Sequence, residues 1–284
     1  MAVTYLAPAK VNLFLHVGAP AQDGFHPVCS AMVFADIGDE VSIGGGPDLS
    51  VSGPFATALA GGGENLVTRA MAAFEPHLAR PVGLHLEKRL PVAAGLGGGS
   101  SDAGAALRLL RDVHAPSVTD RALEEIAARL GSDGAACLWA RNVLSEGRGE
   151  RLTPWPPMPE LHGVLVNPGI GVSTPAVYRR FDELGDFSDV VAPSRPAAFA
   201  DIASLIGWLK TTRNDLQAAA LSLAPEIGTV LSELEGNPLV RLARMSGSGA
   251  TCFALCGEQD AARQLGSDLA RTHPGWWVQA CRLS

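Results

Sequence analysis

The chain reads as an α+β protein of two domains, with mixed or antiparallel sheets. Three observations predict this. Strand-like and helix-like segments follow one another without the regular βαβα rhythm of a doubly wound fold. Pro154, Pro156, Pro157 and Pro159 crowd one short stretch near the middle and mark a boundary. The 284 residues are 47% hydrophobic, enough apolar material for one large core or two smaller ones. The expected domains are therefore 1–153 and 160–284.

The elements follow in order. Val11, Leu13, Leu15 and Val17 alternate with Lys10, Asn12, Phe14 and His16, which predicts a strand with one core face and sets Lys10 beside Asn12. A second strand is expected over 39–43, a helix over 65–74 and a strand over 82–88. A glycine-rich segment comes next. Ala103, Ala106, Leu107 and Leu110 then fall at i, i+3, i+4 and i+7, the spacing of one buried helix face. Leu123, Ile126, Ala127 and Leu130 repeat that spacing, and Gly131 reads as the C′ stop. Strand and turn are expected over 142–149 and a strand over 163–166. Thr174 reads as an N-cap with Pro175 at the first helical position, and 186–196 as a loop. Helices are expected over 197–210, 215–223 and 225–235, with Asn214 and Asp215 capping the second. The turn at 245–249 feeds a strand over 251–256, and a helix and strand end the chain.

Composition narrows the function. Charged residues make up 18%, and the formal net charge is −7 without any run of lysine and arginine. A nucleic-acid surface is not expected, although one cleft can still be locally positive. The five cysteines are scattered, with no CxxC pair and no zinc-like spacing with histidine. They read as reduced core thiols of a cytoplasmic protein. The apolar N-terminus has no basic segment before it and carries Lys10 within it, and no apolar run is long enough to cross a bilayer. The expectation is a soluble chain that is not exported and has no membrane partner.

The strongest chemical signal is Gly95-Leu96-Gly97-Gly98-Gly99-Ser100-Ser101-Asp102, between a predicted strand and a strong helix. Glycines let backbone N–H groups approach an anion without Cβ interference. The helix start adds unpaired donors and the positive end of its dipole. Two serines supply hydroxyls for phosphate oxygens or a magnesium ion. The P-loop pattern fails because no lysine ends the run, and the dinucleotide pattern fails because Ser100 stands where a third glycine belongs. A plain turn with Ser101 or Asp102 as N-cap fits the same residues.

Motifs in a fixed order surround this loop: Ala7 to Leu13, Asp23-Gly24-Phe25-His26, Glu64-Asn65-Leu66, Leu90-Pro91 to Ala103, Leu130-Gly131-Ser132-Asp133 and Gly147-Arg148-Gly149-Glu150. Val172 to Pro175, Asn214-Asp215-Leu216 and Met245 to Ala250 complete the set. With these, spanning nearly the whole chain, the sequence resembles the GHMP small-molecule kinases. The glycine loop and the Met-Ser-Gly-Ser-Gly-Ala turn are marks of the superfamily. The start at Pro8 to Asn12 and the Asp23 to His26 segment resemble the branch that phosphorylates a cytidine diphosphate-linked methylerythritol. The resemblance implies the two-domain GHMP kinase fold, α+β, with the active site in the interdomain cleft.

It also implies site residues. Lys10 and Asp133 match the catalytic pair that faces the accepting hydroxyl. Asn65, Pro91, Ala93, Gly95, Leu96, Gly97, Gly98, Gly99, Ser100 and Ser101 match the nucleotide site, with ATP as donor and Mg2+ carried largely by phosphate and water. Phe25, His26 and Tyr178 match the grip on cytosine, with Asn12 and Thr174 as polar contacts. The protein would act on this small molecule as a monomer or homodimer. The bland readings stand beside these: Asp133 or Asn65 as helix N-caps, Lys10 as an edge lysine in solvent, and Phe25 and Tyr178 as packing residues. Two departures are visible. Phe25 stands where the family usually has tyrosine, and Gly134-Ala135-Ala136-Cys137 replaces the usual Val-Pro-aromatic sequence after the aspartate. The rival functions are a homoserine, mevalonate or sugar kinase of the same family, and a non-catalytic nucleotide-binding protein on the same scaffold.

Overall fold

The computed structural model describes residues 3–59, 64–191 and 193–284. Met1, Ala2 and Ala192, which belong to the expected first domain and the expected 186–196 loop, lie outside the described residues. The chain forms two compact units, each assembled from separate stretches of sequence. Unit 1 comprises Met1–Lys10, Ile37–Val92 and Gly97–Arg141, and unit 2 comprises Val11–Asp36, Ala93–Leu96 and Asn142–Ser284. The prolines at 154–159 all lie in unit 2.

Two long strands, β1 (Thr4–Val17) and β2 (Val28–Ile43), contribute to both units. In unit 1 the end of β2 pairs antiparallel with β4 (Leu84–Glu87), and β4 pairs parallel with β3 (Leu49–Ser52). Among the described residues this unit carries the α-helices α1 (Leu66–Phe74), α2 (Gly98–His114), α3 (Asp120–Leu130) and α4 (Gly134–Trp139). The predicted stripes of α2 and α3 face inward. Leu107, Leu110, Leu123 and Ile126 join Val41, Leu84, Leu86 and Phe74 in one core. Deleting a side chain such as Leu107 would cost about 2–5 kcal/mol, the range for buried leucines.

Unit 2 carries β5 (Val143–Gly147), β6 (Arg151–Pro154), β7 (Leu161–Asn167), β8 (Val240–Met245), β9 (Cys252–Cys256) and β10 (Trp277–Leu283). The strand order runs β2, β10, β7, β9, β8, with every neighbouring pair antiparallel. Its helices are α5 (Thr174–Leu184), α6 (Ile202–Leu209), α7 (Gln217–Leu223), α8 (Glu226–Glu235) and α9 (Gln259–Thr272). Val164, Val166, Ile227, Leu231, Ala254 and Leu265 anchor the core here. Both sheets are mixed or antiparallel, as the irregular element order predicts.

Several local expectations are corrected. β1 has two buried faces rather than one: Lys10, Asn12, Phe14 and His16 are as enclosed as their apolar neighbours. Gly131 follows α3 with extended backbone (φ 168) rather than as a left-handed stop. The N-cap of α5 is Ser173, one residue before the expected Thr174. Leu216, not Asn214 or Asp215, holds the N-cap position of α7; Asn214 Oδ1 still accepts from Leu216 N at 3.0 Å, while its amide nitrogen donates to Met245 O and Gly247 O at 2.8 Å each.

Candidate active site

The glycine-rich loop ends where α2 begins. Ser101 and Asp102 are not its cap; Gly97 is, at φ 61 in the left-handed region that favours glycine. Ser101 N donates the first intrahelical bond to Gly97 O at 2.9 Å. The N–H groups of Gly98, Gly99 and Ser100 come before that bond and have no carbonyl within the helix to pair with. Together with the helix dipole they form a seat for an anion. Ser101 is fully buried, and its Oγ makes no hydrogen bond of normal geometry to other described residues; the Cys137 thiol is its polar neighbour.

Lys10 runs beneath this seat. A Cβ placed on Gly97 would stand 2.9 Å from Lys10 Cε. Lys10 Nζ lies 3.0 Å from Asp133 Oδ2, with side-chain exposures of 6% and 26%. Asp133 occupies the N-cap position of α4, yet its side chain makes no capping bond. The carboxylate is thus turned to the lysine instead of to its own helix. The Gly134 departure serves this turn: a Cβ there would fall 2.0 Å from Ala127 O, so only glycine lets α4 start so close to the end of α3. Burial pushes the adjacent Cys137 thiol up to about 12, which keeps it neutral and inert beside the pair.

A partly exposed carboxylate paired with a buried ammonium has a definite chemistry. It can accept a proton from a hydroxyl, while the ammonium stabilises negative charge developing nearby. Among the described residues no three His, Cys, Asp or Glu side chains gather as a metal site. Magnesium arriving with a nucleotide would take most of its ligands from phosphate and water, and Ser101 Oγ is the loop oxygen whose chemistry suits a hard cation. Asn65 caps α1 as a capping box with Thr68: its Oδ1 accepts from Val67 N and Thr68 N at 3.0 Å each. Its amide nitrogen is what remains for a base. The cap itself is worth about 1 kcal/mol.

Unit 2 holds a second set. His26 Nδ1 lies 2.8 Å from Gly18 O and Nε2 3.3 Å from Asp182 Oδ1, so both ring nitrogens face oxygens of the protein. A base bound through Nε2 would displace Asp182. Tyr178 packs against the same ring, with centroids 5.1 Å apart. Phe25 is 57% exposed, yet it is not loose. Asp23 accepts from Phe25 N at 3.0 Å and pairs with Arg148, whose guanidinium sits 4.7 Å over the Phe25 ring centroid. A stacking face is thereby held out to solvent.

A third set surrounds the turn at 245–250. Ser246 Oγ donates to Gly95 O at 3.0 Å and accepts from Asn12 N at 3.1 Å. Asn12 Nδ2 donates to Ser30 Oγ at 2.7 Å, and Thr174 Oγ1 meets Ser248 Oγ at 2.8 Å. Ala93, at φ 53, accepts from Val172 N, and Ala94 O accepts from Thr251 N. The structure therefore brings Lys10, Asp133 and 97–101 together in unit 1, where Pro91 and Asn65 also lie. In unit 2 His26 meets Tyr178, Phe25 stands with Asp23 and Arg148, and Asn12, Ala93, Gly95 and Thr174 cluster along the serine turn.

Sequence reading missed four contributors. Ser246 and Ser248 lie in a turn noted for its backbone alone. Arg148 lies in a motif that carried no role, and its signal was only a cation in a glycine turn. Asp182 was findable, since it follows Tyr178 at i+4 on α5 and so shares its face.

Comparisons with known proteins give the family. Residues 65–141 match the family model of the GHMP kinases N terminal domain, and residues 193–275 that of the GHMP kinases C terminal. A curated relative from Caulobacter vibrioides (strain NA1000 / CB15N), named 4-diphosphocytidyl-2-C-methyl-D-erythritol kinase, is 53% identical over 100% of both chains. A relative of the same name from Dinoroseobacter shibae is 46% identical over 96% of this chain and 92% of its own. A crystal structure of 4-(cytidine 5'-diphospho)-2C-methyl-D-erythritol kinase superposes with TM-score 0.78 and 32% identity over 99% of each chain. A mevalonate kinase from L. major, at 16% identity and TM-score 0.69 over 100% of this chain and 97% of its own, shares the fold.

Proposed function

From the premise that this chain belongs to the GHMP kinase family, we propose that it transfers the γ-phosphate of ATP to the 2-hydroxyl of 4-diphosphocytidyl-2-C-methyl-D-erythritol. The products are ADP and the 2-phosphate, a step of the non-mevalonate route to isoprenoid precursors. One observation carries this reading: the 53% identity, end to end, with a relative bearing that enzyme's name. The relatives named for this reaction span the chain at 41–53% identity. The homoserine and mevalonate kinases match it at 10–16% and share its fold alone.

The chemistry assigned to the residues follows from their geometry. The accepting hydroxyl oxygen forms a bond to the γ-phosphorus as the bridging β–γ oxygen leaves with ADP. Asp133 accepts the hydroxyl proton at its carboxylate, and Lys10, 3.0 Å away, holds that carboxylate ionised and steadies the charge on the transferring group. How early the proton moves matters little in a loose transition state, so orienting the hydroxyl is a large part of the aspartate's work. The first-turn N–H groups of α2, with 95–101, hold the phosphates; Mg2+, when bound, neutralises their charge. Asn65, Pro91 and Ala93 belong to the nucleotide side of the proposal. Phe25, His26 and Tyr178 grip the cytosine, with Asn12 and Thr174 as polar contacts.

The proposed sequence domains, 1–153 and 160–284, are supported by the two family matches, which fall on either side of that division. Among the described residues no helix is long and apolar enough to cross a membrane. A cytoplasmic monomer or homodimer, with no nucleic-acid partner, completes the proposal; the five free, buried cysteines support a reducing compartment.

The deciding assay supplies purified protein with magnesium-ATP and a panel of acceptor alcohols. ADP release should depend on the cytidine-bearing alcohol. Turnover with homoserine or mevalonate alone would overturn the reading.

A further inference from the structure

A buried ion cluster lies beneath the phosphate loop, outside every role assigned so far. Lys88, Asp39 and Asp102 all lie in unit 1, with side-chain exposures of 3%, 0% and 2%. Lys88 follows β4, Asp39 is on β2 and Asp102 is in the opening turns of α2. Lys88 Nζ bonds Asp39 Oδ2 and lies 3.0 Å from Asp102 Oδ2. The other Asp39 oxygen, Oδ1, accepts from Arg89 N at 2.6 Å and Leu90 N at 2.8 Å. A Cβ on Gly98, the first residue of α2, would stand 3.1 Å from Lys88 Nζ.

Buried charges are a poor way to gain stability, because apolar side chains of similar volume serve as well without the desolvation cost. What they add is direction. Asp39 grips the chain where the loop begins, at Arg89 and Leu90. Lys88 passes that grip to Asp102, just past the loop's end. We propose that Lys88 is a positioning residue for phosphate binding: through Asp39 and Asp102 it ties both ends of the 91–97 loop together and sets the first turn of α2 against them. This rests on the reading that the loop and the α2 start receive the nucleotide phosphates.

The charge balance supports the assignment. A cation under a helix N-terminus opposes the dipole, and the Asp39 carboxylate offsets it. Burial pushes the Asp102 carboxyl up to about 8. Near neutral pH it therefore retains its proton, and the cluster adds no net charge against an incoming polyphosphate.

The test measures binding of a non-hydrolysable ATP analogue with magnesium by calorimetry, alongside steady-state kinetics. Asp102→Ala cuts the tie to α2 but leaves the Lys88–Asp39 pair intact, so it keeps the test decisive even where Lys88→Met, which strands two buried carboxyl groups, folds poorly. Either variant should weaken analogue binding and raise the ATP KM about tenfold, with the acceptor KM and saturating kcat nearly unchanged. Asp102→Asn, which can still accept from Lys88, should stay within about twofold of wild type in both KM values. Unchanged analogue affinity in Asp102→Ala, accompanied only by a lower melting temperature, would overturn the proposal. So would an equal rise in both KM values. Wild-type protein that fails to bind the analogue would instead remove the nucleotide reading beneath it, and this inference with it.

Discussion

Lys10 Nζ lies 3.0 Å from Asp133 Oδ2, joining β1 to the turn that opens α4. The contact turns an ordinary N-cap position into a chemical group. Asp133 leaves its helix uncapped and faces a lysine whose stem passes under Gly97 of the phosphate loop.

Removing either partner should stop turnover without unfolding the chain. Asp133→Asn and Lys10→Met are each expected to lower kcat by about 10²–10⁴, the usual worth of a positioned acid–base or charge-stabilising group. Circular dichroism and nucleotide affinity should stay close to wild type. Near-wild-type turnover in either variant would remove the pair from the mechanism.

The acceptor side should respond separately. Phe25→Ala removes a stacking face worth about 1–3 kcal/mol, so the acceptor KM should rise by about five- to 150-fold while the ATP KM holds. Arg148→Ala loses the contact over Phe25 and the pair with Asp23. Its expected effect is smaller, about two- to fivefold, as for a solvent-exposed cation–π contact. Equal shifts in the ATP KM for these variants would place Phe25 outside the acceptor pocket.

The thiols should be silent in the native state. Burial pushes Cys29 and Cys256 up to about 11, and Cys137 and Cys281 up to about 12; burial raises Cys252 as well. At pH 8 these groups are protonated and therefore poor nucleophiles. Mass spectrometry after iodoacetamide treatment should find little labelling until denaturant is added. Fast labelling of Cys137 in native protein would contradict its placement beside Lys10 and Asp133.

Stability should carry a pH signature of Asp102. Its carboxyl, raised by burial to about 8, binds its proton more tightly folded than unfolded, where the value is about 4. The unfolded state then holds fewer protons across that window, so stability falls as pH rises from about 4 to about 8 and levels above. The groups facing it are Lys88, Asp39 and, from α4, the Cys137 thiol. Lys88 is lowered by burial but raised more by the two carboxylates, and so stays charged throughout. The melting-temperature advantage of Asp102→Asn over wild type should grow between pH 5 and 8. A difference independent of pH would sink this assignment.

Legibility in the sequence followed the range of the interactions. α1 with its Asn65 cap, and α2 and α3 with their apolar stripes, were readable because a few adjacent residues carry the whole signal. α4 has six residues, too few to show a period. The part of β2 over 28–36 was missed because its apolar run, broken by Ser30, alternates on neither face; both of its faces are buried. The same double burial misled the reading of β1, where His16 and Asn12 mimic a wet face while lying in the interior. Lys88 looked like the polar end of a strand.

The sequence by itself determined the glycine-rich loop, the helix behind it and the family, since these rest on residue types at short, fixed spacings. It also named Lys10, Asp133, Phe25, His26 and Tyr178 through their motifs. Tertiary structure alone decided which charges meet: Lys10 with Asp133, Asp39 and Asp102 through Lys88, and Arg148 with Asp23 over Phe25. Periodicity reports which face of an element is apolar. The partner of a buried charge depends on strand register and helix packing between segments far apart in the chain.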